Sequence, residues 1–167
     1  MTRARAAAGS VLFFIAAPGT VVGLLPWWLT GWRFTEPLPF WAPLRVLGAL
    51  MVIAGVGAAI QAFARFAFEG LGTPAPIAAP DRLVVGGVYR YVRNPMYVSL
   101  LVAIAGQALL FGQLWLLVYG AAVALASSLF VHFHEEPALR RQFGEQYEAY
   151  RRAVPGWWPR LRPWEPG

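Results

Sequence analysis

The chain has 167 residues, 58% of them apolar and 13% charged, about half the charged share of an ordinary soluble domain. It contains no cysteine and no lysine, and its 14 basic residues are all arginines, giving a net charge of +6. Disulfides, thiolate metal sites, a cysteine nucleophile and a lysine Schiff base are excluded.

No charge stands between Arg5 and Arg33, and the first apolar run, 10–29, is longer than the roughly 7–15 residues of a signal-peptide core. A retained membrane span is expected there. The loop that follows, 30–43, is rich in Trp, Phe and Pro. Trp27, Trp28, Trp32 and Trp41 read as an interfacial aromatic belt. A second run, 44–66, carries Gly48, Ala49, Ala54, Gly55, Gly57, Ala58 and Ala59, small residues that let helix backbones approach closely.

Gly72, Pro74, Pro76 and Pro80 then break helical structure, so 70–94 reads as a loop. A short extended piece from Asp81 to Val85 and a tight turn at Gly86 and Gly87 are expected within it. Asn94 is a suitable N-cap for a third helix, and Pro95 fits the first turn, where its missing N–H costs nothing. That helix should run over 95–111 and stop at Gly112. A fourth run, 114–131, leads into His132, His134, Glu135 and Glu136, with a kink or new helix start at Pro137. Over 138–152 the spacing of Leu139, Phe143, Tyr147 and Tyr150 is amphipathic, weakened at Gly144. Val154, Pro155 and Gly156 end it, and Trp157, Trp158 and Trp164 mark an irregular, interface-bound tail.

These runs predict an all-α integral membrane bundle with about four transmembrane helices and a C-terminal cytoplasmic amphipathic helix. The whole of 1–167 forms one domain: two spans in 1–69, a cytoplasmic loop in 70–94, a helical hairpin in 95–134, and a cytoplasmic helix and tail in 135–167. With four spans, every arginine except Arg33 and Arg45 falls on one side, which the positive-inside rule makes the cytoplasm, with both termini there. A bacterial inner membrane is the expected location. The same distribution explains the basicity without a nucleic-acid partner. Oligomeric state is left open.

No charged side chain lies between Arg93 and Glu135. Folding that stretch into a hairpin brings its polar ends, Arg93 and Tyr97 on one side and Glu135 and Glu136 on the other, to one membrane face. Ionisable residues at membrane depth are costly and point to function. His132 and His134, two apart on a helix, do not share a face, and there is no HExxH pattern, so no metal site is expected. No P-loop, dinucleotide-binding glycine pattern or serine triad context is present.

The blocks Gly87, Val88, Tyr89, Arg90, Tyr91, Val92, Arg93, Asn94, Pro95, Met96, Tyr97, then Glu135 and Glu136, then Phe143, Gly144, Glu145, Gln146, Tyr147, Glu148, Ala149, Tyr150, then Val154 and Pro155, occur in the order of a known superfamily. Over about 81–160 the chain resembles the isoprenylcysteine carboxyl methyltransferases and their phospholipid-methylating relatives. The resemblance implies a cytoplasm-facing pocket for S-adenosylmethionine, roofed by the tail. By position it implies cofactor contacts at Asp81, Arg82, Leu83, Val84, Tyr89, Asn94, Pro95, Met96, Tyr97 and Glu135, with Arg93 and Glu136 as catalytic candidates. Two departures stand out. Asn94 occupies the usual histidine position and cannot titrate near neutrality. Val131 stands where the eukaryotic carboxyl methyltransferases have a substrate-binding arginine, so a prenylcysteine carboxylate is not implied.

The expected activity is therefore transfer of a methyl group from S-adenosylmethionine to an apolar or lipid-like acceptor, with oxygen, nitrogen and sulfur all open as the acceptor atom. The carboxylates and the tyrosine faces of Tyr89, Tyr91 and Tyr97 suit a cationic donor. The rival readings are an NADPH-dependent membrane reductase of related architecture and a non-catalytic membrane subunit or transporter.

Overall fold

The computed structural model describes residue 12 and residues 16–69 and 82–165; the expected cofactor contact at Asp81 lies outside the described residues, as does most of the loop before it. Every regular element among them is helical. A π-helical turn, Gly19–Leu24, leads into α1, Leu25–Thr30. Then come α2, Ala42–Glu69; a 3₁₀ turn, Gly87–Arg90; α3, Pro95–Phe111; and α4, Trp115–Phe130. A second π-helical turn, Val131–Glu135, joins α4 to α5, Glu136–Ala153.

Of the four expected spans, two match helices long and apolar enough to cross a membrane: Ala42–Glu69, and the helical run Trp115–Ala153 through its apolar first part. The third expected span, Pro95–Phe111, is apolar but shorter, and the first falls partly outside the described residues. Much of the apolar surface of α2 and α4 is exposed, including Val46, Leu50, Ile53, Ile60, Leu117, Val118, Leu125 and Leu129. Such faces suit lipid rather than water.

The bundle's spine is the seam between α2 and α3. A Cβ added at Gly48 would come within 2.6 Å of the Gly106 carbonyl oxygen; one at Gly55 would meet the Ser99 oxygen at 2.7 Å; one at Gly106 would meet the Gly48 oxygen at 2.8 Å. No side chain fits between these backbones, which is the close approach that small residues allow in membrane helices. The small-residue pattern in the second apolar run thus does what its composition implies.

Both π-helical turns precede a proline by one residue. Pro26 has no N–H to offer the Val22 carbonyl, and widening the turn relieves its ring clash. The freed carbonyls are satisfied from neighbouring helices: Gln107 Nε2 donates to Val22 O at 2.7 Å, and the Tyr119 hydroxyl donates to Val21 O at 2.7 Å. Pro137 stands in the same relation to the turn at Val131–Glu135. This is the kink expected at Pro137.

At the opposite end from the 3₁₀ turn, the loop after α1 is pinned to the α3 C-terminus. Gly112 takes the left-handed conformation expected of a helix stop, with φ 69°. Thr35 N–H donates to Phe111 O at 2.8 Å. Trp41 is buried, its indole N–H donating to Leu109 O at 2.8 Å, and the Trp32 indole donates to Gln107 Oε1 at 3.0 Å. Trp41 is a buried loop anchor rather than a belt residue; Trp27, Trp28 and Trp32 keep the exposed position expected of a belt, Trp32 while bonded to α3. In α5 the helix is interrupted at Gly144, with φ 51° and ψ −125°, a conformation open to glycine.

Candidate active site

The N-terminus of α3, the end of α4 and the residues after α5 converge at one end of the bundle. Pro95 starts α3 as expected, its carbonyl accepting the Ser99 hydroxyl at 2.5 Å. Asn94 occupies the N-cap position, yet its side chain makes no capping bond. The expected cap fails because the chain turns there with ψ 54°, outside the extended region that capping needs, and the Asn94 N–H donates instead to Gly156 O at 3.2 Å. The Asn94 Nδ2 atom is buried without a hydrogen-bond partner. Such orphaned donors are rare and call for an explanation.

The widened turn before α5 reduces the rotation between successive residues, so Glu135 and Glu136 both point toward the start of α3. Their fates differ. Glu136 Oε1 accepts from Arg93 Nη1 at 2.8 Å in a pair whose side chains are 13% and 16% exposed. Glu135 accepts the Tyr97 hydroxyl at 2.5 Å, and no described cation lies within ion-pair distance of it. The result is one carboxylate neutralised by arginine and, next to it, one held only by a phenol.

Arg93 is a junction. Besides Glu136 it donates to the Tyr147 hydroxyl at 3.0 Å and, through Nε, to Val154 O at 2.9 Å, while its backbone N–H donates to Pro155 O at 2.9 Å. The residues after α5 are strapped along 90–94 by further bonds. Arg160 N–H donates to Tyr91 O at 3.0 Å and Trp164 N–H to Arg90 O at 2.9 Å, while Arg90 Nε donates to Trp164 O at 2.8 Å. Gly156 sits against the junction: a Cβ there would be 3.1 Å from Arg93 Nη2 and 3.4 Å from Asn94 Nδ2. The Trp157 ring lies 6.2 Å from that of Tyr97.

The remaining described residues of the expected set are divided between two apolar clusters and the surface. Tyr89 and Val84 are buried against Ala62 of α2, with Met96 packed beside them. The Tyr89 carbonyl accepts the Tyr150 hydroxyl at 2.6 Å. Burial holds the Tyr89 phenol well above its ordinary pKa, with Tyr150, Glu135 and Tyr97 adding to the effect. Leu83 packs on the Tyr147, Tyr150 and Val154 cluster. Arg82 is exposed. Arg93, Asn94, Tyr97, Glu135 and Glu136 therefore meet at one end, with Tyr89 and its apolar cluster nearby. Tyr147, Gly156 and Trp157 were not singled out as site residues in the sequence. A glycine directly after a helix-ending proline was the one available signal.

The phospholipid methyltransferase family matches residues 44–146, from the start of α2 to the middle of α5. The chain belongs to the phospholipid methyltransferase family. No curated protein matches it at a significant level. Membership makes the chain a membrane methyltransferase by family and gives no support to the reductase or the non-catalytic subunit. The match contains Arg93, Asn94, Tyr97, Glu135 and Glu136, whereas Tyr147 and Val154 to Trp157, which hold or face them, lie beyond it. At the polar end of this member of the phospholipid methyltransferase family, Glu135 is a carboxylate with no described cation beside it, and Asn94 Nδ2 is a buried donor without a partner.

Proposed function

We propose that the chain transfers a methyl group from S-adenosylmethionine to the headgroup of a phospholipid-like lipid. The observation that carries this reading is the unequal pair of carboxylates: Glu136 is neutralised by Arg93, and Glu135, beside it, has no described cation. A half-buried carboxylate without a counter-ion is costly and is stabilised by a positively charged ligand.

When bound, S-adenosylmethionine supplies a methyl group already activated on a sulfonium. Glu135 then provides the complementary charge, oriented by the Tyr97 hydroxyl. The ring faces of Tyr97 and Trp157 add cation–π attraction. Asn94 donates from its buried amide to an acceptor atom of the ligand. In this reading Arg93 and Glu136, the candidates for a catalytic role, are positioning residues. Their ion pair fixes Val154 and Pro155 beside the site. Leu83, Val84, Tyr89, Pro95 and Met96 shape the base, Arg82 the rim; Asp81 and the two ends of the chain are placed by the reading on the same cytoplasmic side. With an activated donor, alignment is the main task, and orientation supplies about 7–11 kcal/mol in favourable cases. A proton released by an amine acceptor passes to water.

The test uses purified protein in vesicles of phosphatidylethanolamine with methyl-tritiated S-adenosylmethionine, counting label in the organic extract. The expected result is label in the lipid with wild type and a loss of at least about 100-fold with Glu135→Ala, the scale of removing a desolvated charge partner. Extracts without label for wild type, across ethanolamine lipids and their partly methylated forms, would overturn the proposal.

A further inference from the structure

A second feature lies in the opposite half of the bundle. Between the π-helical turn at Gly19–Leu24, α2 and α3 there is a cavity of about 370 Å³. Gly19, Val22 and Gly23 form one wall, and Val52, Gly55, Val56 and Ala59 of α2 a second. Leu100, Ala103, Gln107, Leu110 and Phe111 of α3 form the third. Trp32 lines the end toward Phe111, stacked on that ring with centroids 6.0 Å apart and tethered to Gln107.

The lining has no free polar group to offer. Gln107 is its one amide side chain, and both of its ends are engaged, Oε1 by Trp32 and Nε2 by Val22 O. An occupant must therefore be apolar along its length. Size decides which apolar occupant. From Leu100 to Phe111 the α3 wall rises about 16 Å. A helix about 10 Å wide and that long would fill more than ~1,200 Å³ and cannot enter. An extended alkyl chain advances about 1.25 Å per carbon for bonds of ~1.5 Å, so the wall accommodates roughly 13 carbons. The length of the wall suits a single extended alkyl chain.

We propose that this cavity is a binding seat for one alkyl chain of a membrane lipid. The chain's methyl end lies against the Trp32 and Phe111 rings, and its polar end lies toward Leu100, one helical turn from Tyr97. The seat stands independently of the methyl-transfer reading, since it uses none of the groups at the polar end. Gly23 provides a way to fill it: a Cβ there would meet nothing within 4 Å. Gly57 of α2 is equally open but does not line the cavity.

The experiment reconstitutes the full chain in phosphatidylcholine vesicles containing a phosphatidylcholine with a diazirine at the end of a twelve-carbon acyl chain. After photolysis, labelled peptides are mapped, with no S-adenosylmethionine present. The expected label is saturable and concentrated at Trp32, Leu110 and Phe111, and it moves to Leu100 and Val56 when the diazirine is placed at carbon four. Gly23→Phe should cut that label at least fivefold, and Gly57→Phe should leave it unchanged. Val56→Trp, on the opposite wall, should reproduce the loss and serves if Gly23→Phe does not fold. Label spread over Leu117, Val118, Leu125 and Leu129 and indifferent to cavity-filling variants would overturn the proposal. So would label at the cavity that joins two copies of the chain.

Discussion

The α2–α3 seam and the polar end of the bundle are built on opposite terms. In the seam, backbone meets backbone at Gly48, Gly55 and Gly106, and no side chain would fit between. At the polar end, polar side chains do the joining, yet Glu135 has no described cation and Asn94 Nδ2 has no partner. A sequence selected only for stability would satisfy both groups. Local conflicts of this kind, set within an otherwise consistent fold, are where function is expected.

Breaking the seam should have the largest effect. Gly106→Leu forces a side chain into the Gly48 and Val52 backbone and should cost more than about 3 kcal/mol, at the upper end of overpacking penalties. Thermal unfolding and size-exclusion profiles in detergent would register it as loss of a monodisperse species. At the polar end, Glu135→Gln should instead leave the melting temperature unchanged or slightly raised, because it removes a half-buried charge that has no cation beside it. It should weaken S-adenosylmethionine by about 100-fold, as expected for a desolvated charge partner.

Arg93→Lys sharpens the contrast within the polar end. Lysine keeps the charge but not the fork that reaches Glu136, Tyr147 and Val154 O together. A loss of about 2–3 kcal/mol is expected, below the full cost of breaking a buried pair. Limited proteolysis within 154–165 should speed up. Asn94→Leu removes an unsatisfied donor and should be neutral or stabilising by about 1 kcal/mol in the ligand-free protein. It should weaken S-adenosylmethionine at least tenfold by equilibrium dialysis. The smallest effect is expected at Gly57, where a Cβ meets nothing: Gly57→Ala should raise stability by about 0.5–1 kcal/mol through helix propensity, without touching binding.

Where local chemistry dictates structure, the sequence was readable. Pro95 and Gly112 bound α3 because ring geometry and left-handed freedom act within one turn. The glycines of α2 pointed to a close helix contact, though not to α3 as its partner. The juxtaposition of Arg93 and Tyr97 with Glu135 and Glu136 followed from the charge-free stretch between them. What was hidden was partnership. Nothing local tells that Arg93 takes Glu136 while Tyr97 takes Glu135, because the widened turn before Pro137 sets that register. Asn94 looked like a cap, and only the crossing of Gly156 overhead explains why it is not one. Trp41 looked interfacial, yet it is buried with its indole on the α3 backbone. The apolar cavity had no signature, since its walls come from three separate stretches.

Isothermal titration of the purified chain with S-adenosylmethionine and with S-adenosylhomocysteine tests the central claim most directly. The account predicts saturable one-site binding for wild type and Gly57→Ala, with a preference for the cationic methionine form that disappears in Glu135→Gln. Heat changes indistinguishable from dilution for wild type, or binding that Glu135→Gln leaves intact, would contradict it.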